Sequence, residues 1–212
     1  MSLQRFKVVD IENLLDAIQQ MPRRCLITFS NHNSTIDDPT VWAALPLTNI
    51  LNVDKLRFAL GARELTYMNT HLSWFFSRGQ VIPIERGKGI FQKGMDDALK
   101  ILNEGGWVHI YPEVFQDQRI HPLRWGISRL ILEAKLDPIL VPIIHHGMEH
   151  VYPLTKTFPK LRKTVVCRFG KPLRIDQLLT EKQFASYTDV MKRIEITNAI
   201  QKEMQVLYDL DK

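Results

Sequence analysis

Cysteine is scarce in this chain: Cys25 and Cys167 are the only two in 212 residues. Both sit in apolar, strand-like runs, so buried free thiols are expected rather than a disulfide framework. No Cys-x-x-Cys pair occurs; a structural zinc site is unsupported and no metal is expected. Long apolar runs are also missing. Nowhere do about 18 apolar residues follow one another, as a membrane-spanning helix requires. The first residues, MSLQRFKVVDIENLL, have neither the apolar core of a secretory signal nor the Arg/Ser bias of a transit peptide. The expectation is a soluble or peripheral protein, or one whose membrane segment lies outside this sequence. Repeats, low-complexity tracts and an obvious linker are absent as well, which argues against an array or a second domain.

What is present describes a folded domain. Apolar residues make up 45% and charged residues 24% of the chain, enough for a sizeable core in one unit, residues 1–212. The net charge of +5 is uneven: seven cations and no acid lie between Lys156 and Arg174. Such a stretch suits anionic lipid headgroups, or it is simply a solvated face. Nucleic acid is disfavoured, because the stretch lacks interleaved stacking aromatics and the Phe158 it contains is no platform by itself.

Strand-like and helix-like segments alternate. Cys25–Phe29 reads as a buried strand, and Asp38-Pro39 opens a helix through Val41, Trp42, Ala44 and Leu45. Leu56–Leu60 reads as a strand followed by a helix from Gly61, and Val81–Ile84 as a short strand that Pro83 assigns to an edge or strand end. Ile90–Asn103 is the clearest helix, with Phe91, Met95, Ala98, Leu99 and Leu102 at helical spacing and Gly105-Gly106 as its stop. Trp107–Tyr111, Ile139–Ile144 and Thr164–Phe169 read as strands, and Ile127–Leu136 as a helix. From about 181 to 212 the pattern is amphipathic helix, with Val190, Ile194, Met204 and Leu207 on the apolar side. Helices between strands imply crossovers, so the fold class is α/β with a largely parallel or mixed central sheet flanked by helices.

Chemistry concentrates after the first buried strand, in Ser30-Asn31-His32-Asn33-Ser34-Thr35-Ile36-Asp37-Asp38-Pro39. Open α/β sheets place their sites beyond the carboxyl ends of strands. A histidine there, with an acid five positions on, suits a general base whose tautomer the acid fixes. The alternative is structural: Asn31, Ser34, Thr35 and Asp37 are all good turn formers or helix caps. Three further groups fall at strand ends. Arg86 in Ile84-Glu85-Arg86-Gly87 suits a bidentate phosphate contact or a surface ion pair. Pro112-Glu113 either aims a carboxylate into a cleft or is only a turn, and Val141-Pro142-Ile143 alone says little.

In this order, from about residue 12 to 175, these blocks resemble the glycerolipid acyltransferase family. SNHNSTIDDP, GIFQKGMDDAL, WVHIYPE, LRWGISRLI and the HGM after the fourth block are similar to its branch that moves acyl chains between phospholipid and lysophospholipid in cardiolipin remodelling. The resemblance implies a glycerol-3-phosphate acyltransferase-like fold and a cofactor-free transacylase. In it His32 deprotonates a lysophospholipid hydroxyl and Asp37 orients His32. Arg86 holds a phosphate beside Gly87, Glu113 beside Pro112 positions the glycerol, and Pro142 helps shape the acyl site. It also implies a peripheral place on a mitochondrial membrane, a contact to which Trp74 and Phe75 in His71-Leu72-Ser73-Trp74-Phe75-Phe76 would be suited because indole and phenyl rings favour the interface; the alternative for this segment is a helix face packed on the sheet. An acyl-coenzyme-A-dependent enzyme would use the same blocks. One departure stands out: Val114 replaces the family's glycine after Pro-Glu, and a β-branched residue there resists positive φ. A weakly active lipid-binding protein is the reading that departure would favour.

Overall fold

The computed structural model describes residues 5–34, 37–112, 123–151, 160 and 163–211. Its strands are β1 (Arg5–Val9), β2 (Leu26–Ser30), β3 (Arg57–Ala62), β4 (Val81–Ile84), β5 (Trp107–Ile110), β6 (Ile139–His146) and β7 (Thr164–Phe169). They form one sheet in the order β1-β7-β6-β2-β5-β3-β4. β6, β2, β5, β3 and β4 run parallel to one another, while β7 is antiparallel to β6 and parallel to β1. The sheet is therefore mixed, and the carboxyl ends of its five parallel strands share one edge.

The helices before β6 are α1 (Glu12–Gln19), α2 (Asp37–Trp42), α3 (Leu47–Ile50), α4 (Arg63–Thr66), α5 (Thr70–Arg78), α6 (Lys93–Asn103) and α7 (Gly126–Glu133). After it come α8 (Met148–Val151), α9 (Ile175–Leu178), α10 (Glu181–Ser186) and α11 (Asp189–Asp209). They cover both faces of the sheet. On one face α6, α7 and α11 pack Met95, Leu102, Ile127, Leu130, Ile196 and Ile200 against Ile27, Phe29, Val108 and Leu140. On the other, α1 and α2 pack Leu14, Ile18, Val41 and Trp42 against Leu26, Trp107, Val141 and Ile143. Alternate strand residues point to opposite faces, which is why β2 is buried along its whole length yet divides cleanly. Ile27 and Phe29 enter the first core, and Leu26, Thr28 and Ser30 the second side. Full burial of a side chain such as Phe29 stabilises the fold by roughly 1.5–3 kcal/mol.

Several expectations need correction. β1 and α1 are real elements within the amino-terminal stretch; β1 is an edge strand whose first residues are exposed, so it carries no strong apolar signal. The strand expected to end at Leu60 continues through Gly61 to Ala62. Phe91 lies before α6 rather than on its buried face and is 71% exposed, with the Arg129 guanidinium 4.8 Å from its ring centre. The carboxyl-terminal helical region is two helices, not one, and Val190 and Ile194 are exposed; the buried stripe of α11 is Arg193, Ile196, Thr197, Ile200, Met204 and Tyr208. Arg193 tolerates burial because it bonds Glu133 on α7 at 2.8 Å. Cys25 and Cys167 are free and buried, and burial pushes their thiols up to about 11 and about 12, so neither is a nucleophile at neutral pH.

Candidate active site

The central strand β2 ends at Ser30, and the short polar residues after it wrap onto one carboxylate. Asp37, the first residue of α2, is fully buried. Its Oδ2 accepts hydrogen bonds from the backbone N–H groups of Asn33 at 2.7 Å and Ser34 at 2.8 Å. The same oxygen lies 3.0 Å from His32 Nδ1. A carboxylate only accepts, so Nδ1 carries the imidazole proton and Nε2 keeps its lone pair. The His32 side chain is 27% exposed. The pair thus presents a base to the outside and its orienting charge to the inside.

Two strands build the floor beneath His32. Thr28 and Ser30 of β2 stand beside Trp107 and His109 of β5, with Tyr111 next along the same alternation. Trp107 Nε1–H donates to Thr28 Oγ1 at 2.9 Å; His109 Nδ1 lies 2.8 Å from Thr28 Oγ1, and its Nε2 3.3 Å from Ser30 Oγ. Burial first, then the nearby Arg57, His32 and His145, hold His109 well below its ordinary value of 6.5, so it is neutral at pH 7. Tyr111 lays its ring on His32 with centroids 4.4 Å apart and meets His109 edge-on at 4.6 Å. Desolvation first, then Asp38 and Asp37, raise the Tyr111 phenol well above 10, so it stays protonated. Tyr111 and His109 were not singled out from the sequence. The signal is the alternation Trp107, His109, Tyr111 along and just past β5, in register with the alternation Leu26, Thr28, Ser30 of β2 that leads to His32.

Asp38, the second acid of the motif, turns away from His32. It accepts from Trp42 Nε1–H at 2.7 Å, makes a short ion pair with Arg57, and has the Tyr111 hydroxyl at 3.5 Å. Arg57 also lies over the Trp42 ring, 4.6 Å from its centre.

Arg86 stands apart from the dyad. It follows edge strand β4, three strands along from β2, which at about 4.8 Å per strand puts the two strand ends roughly 14 Å apart. Its Nε pairs with Glu64 at 3.2 Å, both side chains about half exposed. The loop carrying it is fixed by Gln92, whose side chain accepts from the Glu85 N–H at 2.7 Å and donates to the Gly89 carbonyl at 2.6 Å. Gly87 has φ +84°, a conformation that a Cβ would strain, so its place in the block is explained by the turn. Gly94 serves the same loop differently: a Cβ there would lie 2.2 Å from the Pro83 carbonyl oxygen, so only glycine lets α6 seat on β4.

Pro142 is buried within β6, next to Phe29 in register, and its carbonyl accepts from Gly170 N–H at 2.8 Å. Pro112 follows β5, and its carbonyl accepts from Arg124 N–H at 2.9 Å. Glu113 and Val114 lie outside the described residues, as do Lys156 and Arg162 of the basic stretch. Within that stretch Arg168 is engaged by Asp10 and Asp211, and Arg174 by Asp137 and Asp176. Trp74 and Phe75 on α5 are 61% and 63% exposed, while Phe76 is partly buried. His146 and His150 stand four residues apart, but His146 packs on Tyr208 and His150 pairs with Glu149. Among the described residues no group of three metal-ligating side chains occurs, and no helix is long and apolar enough to cross a membrane.

The chain is thus an α/β domain with a carboxylate-oriented histidine just beyond the carboxyl end of its central parallel strand. Residues 5–146 match the family model described as Acyltransferase, and the chain belongs to that family. It is 34% identical over 198 residues to the tafazzin of Dictyostelium discoideum, covering 90% of this chain and 67% of that protein. To the N-acylphosphatidylethanolamine synthase of Arabidopsis thaliana it is 41% identical over 150 residues, covering 69% of this chain and 53% of that protein. The chain therefore spans about two thirds of the first relative and about half of the second. Its fold is that of the crystal structure of a 1-acyl-sn-glycerophosphate acyltransferase, PlsC, from Thermotoga maritima, at TM-score 0.66 and 14% identity over 96% of this chain and 72% of that one. Within the family it is a tafazzin-like acyltransferase.

Proposed function

We propose that this protein is a phospholipid–lysophospholipid transacylase of the cardiolipin-remodelling type that needs no coenzyme A. The observation that carries the reading is the His32 Nδ1 contact with Asp37 Oδ2 at 3.0 Å, which places the imidazole proton on Nδ1 and leaves the basic lone pair on Nε2, in a tafazzin-like chain. His32 Nε2 takes the proton from a lysophospholipid hydroxyl as its oxygen attacks the ester carbonyl of a donor phospholipid. The tetrahedral oxyanion collapses, the donor's glycerol oxygen leaves, and the proton on Nε2 passes to it. One ester forms, one breaks, and the donor becomes a lysophospholipid. General base catalysis of this kind is worth about 10²–10⁴-fold.

Substrate placement follows from the strand-end residues. Arg86 exchanges its exposed partner Glu64 for a lipid phosphate, a bidentate contact that a guanidinium makes well. Gly87 gives that loop its turn, and Glu113 and Pro112 position the glycerol. Pro142 shapes the acyl site from within β6. Trp74 and Phe75 enter the interface of an anionic, mitochondrial membrane to which the protein binds peripherally.

A second acceptor is favoured by the identity to the Arabidopsis N-acylphosphatidylethanolamine synthase: the amine of phosphatidylethanolamine in place of a hydroxyl. Purified protein is mixed with vesicles holding acyl-labelled phospholipid and, in turn, lysocardiolipin or excess phosphatidylethanolamine, with and without coenzyme A. Label in the lysocardiolipin product without coenzyme A is the expected result. Label as an amide favours the second acceptor, and transfer only from acyl-coenzyme A overturns the transacylase reading.

A further inference from the structure

Beta strand β6 carries Ile139, Val141 and Ile143 on the face of the sheet that bears α2, and His145 continues that alternation. His145 is fully buried. It meets Asn31, the residue between β2 and His32, through three hydrogen bonds. Asn31 Nδ2–H donates to the His145 carbonyl at 2.8 Å, His145 N–H donates to Asn31 Oδ1 at 3.0 Å, and His145 Nε2 lies 2.8 Å from the Asn31 carbonyl oxygen. A carbonyl only accepts, so Nε2 carries the His145 proton. That N–H also lies 3.6 Å from Asp37 Oδ2, the oxygen that receives His32. His145 Nδ1 has no hydrogen-bond partner among the described residues. An apolar ring would fill the same space without leaving that atom dry, so packing alone does not explain a histidine here. The adjacent His146 points to the opposite face, against Tyr208.

We propose that His145 is a positioning residue for the His32–Asp37 pair. Its Nε2–H holds the Asn31 carbonyl, and with it the peptide that leads into His32, while the same electropositive edge faces the Asp37 carboxylate. The role rests on His32 being the base of the proposed transacylase. A base displaced by about 1 Å from its productive place loses on the order of a hundredfold in rate.

Two variants separate this from a merely structural role. In His145→Gln the amide nitrogen falls near the place of Nε2 and keeps the donor; in His145→Asn it falls near Nδ1 and the donor is lost. Coenzyme-A-independent transfer to lysocardiolipin is measured alongside the NMR signal of the His32 Nδ1 proton in 15N-histidine-labelled protein, assigned by its absence in His32→Gln. His145→Asn is expected to lower kcat roughly ten- to a hundredfold with KM within about twofold, and to shift or broaden the His32 signal. His145→Gln is expected to restore most of the rate and the wild-type signal. An unchanged kcat and signal in His145→Asn overturns the proposal, and so does an equal loss in both variants. If the wild-type protein transfers no acyl chain, the transacylase reading fails by itself, and the NMR comparison alone decides whether His145 holds His32.

Discussion

Replacing Asp37 by asparagine isolates the charge that the dyad depends on. The carboxylate is fully buried and gathers three N–H groups on one oxygen. An asparagine with its oxygen turned the same way keeps the bonds to Asn33 and Ser34 and the shape of the loop. What it removes is the negative charge facing His32 when the imidazole takes up its proton. His32 is 27% exposed, so an effective dielectric constant near 20 is appropriate, and two unit charges about 4 Å apart then attract by about 4 kcal/mol. That corresponds to roughly a thousandfold in rate, within the range of general base catalysis. The assay is the initial rate of label transfer from diacylphospholipid to lysocardiolipin in vesicles free of coenzyme A, for Asp37→Asn, His32→Gln and the double variant. Because the two residues act as one unit, the double variant is expected to lose no more than His32→Gln alone. Stability changes little by comparison: a charged hydrogen bond weakened by about 1–2 kcal/mol lowers Tm by roughly 2–8 °C in a chain of this length. A rate within about threefold of wild type in Asp37→Asn, or single losses that multiply in the double variant, would refute the reasoning.

Other consequences are as direct. Arg86→Ala should raise KM for phospholipid about tenfold or more with a smaller effect on kcat, while Tm stays nearly unchanged, since the Arg86–Glu64 pair is a surface pair worth about 0–1 kcal/mol; steady-state kinetics and a thermal melt check both. Trp74→Ala with Phe75→Ala removes two exposed rings, so co-sedimentation with anionic vesicles should weaken by roughly tenfold or more without loss of fold. His109 gives a pH signature in stability. Its folded value is depressed below 6.5, so the unfolded chain binds the proton first, and stability present above pH 6.5 is lost as pH falls toward the folded value. Urea melts between pH 7 and 5 should show a slope steeper by up to about 1.4 kcal/mol per pH unit in the wild type than in His109→Gln.

What the sequence makes legible is local. His32 and Asp37 are five residues apart in one turn, so their meeting follows from spacing and the turn chemistry of Asn33 and Ser34. The edge position of Pro83 and the buried runs of β2 and β6 follow equally from residue type. The rest of the site depends on which strands become neighbours. Asn31 and His145 are 114 positions apart, and only the insertion of β2 between β6 and β5 brings His145 to one side of the dyad and Tyr111 to the other. Periodicity misplaces the face of α11 because its buried stripe includes Arg193 and Thr197, polar residues whose partners, Glu133 and the Arg193 carbonyl, are invisible to an apolar pattern. Periodicity misplaces Phe91 on the apolar stripe of α6 for a related reason: its place is beneath two guanidiniums, those of Arg129 and Arg193, at the surface.

The central claim is that His32 takes the proton of a lipid acceptor in an acyl transfer that uses no coenzyme A. The most direct measurement is label transfer by His32→Gln beside wild-type protein, at equal fold as judged by thermal melts, with coenzyme A rigorously removed. The account predicts transfer by the wild type and a loss of about 10²–10⁴-fold in the variant. Transfer that persists in His32→Gln, or that the wild type performs only when acyl-coenzyme A is supplied, would contradict it.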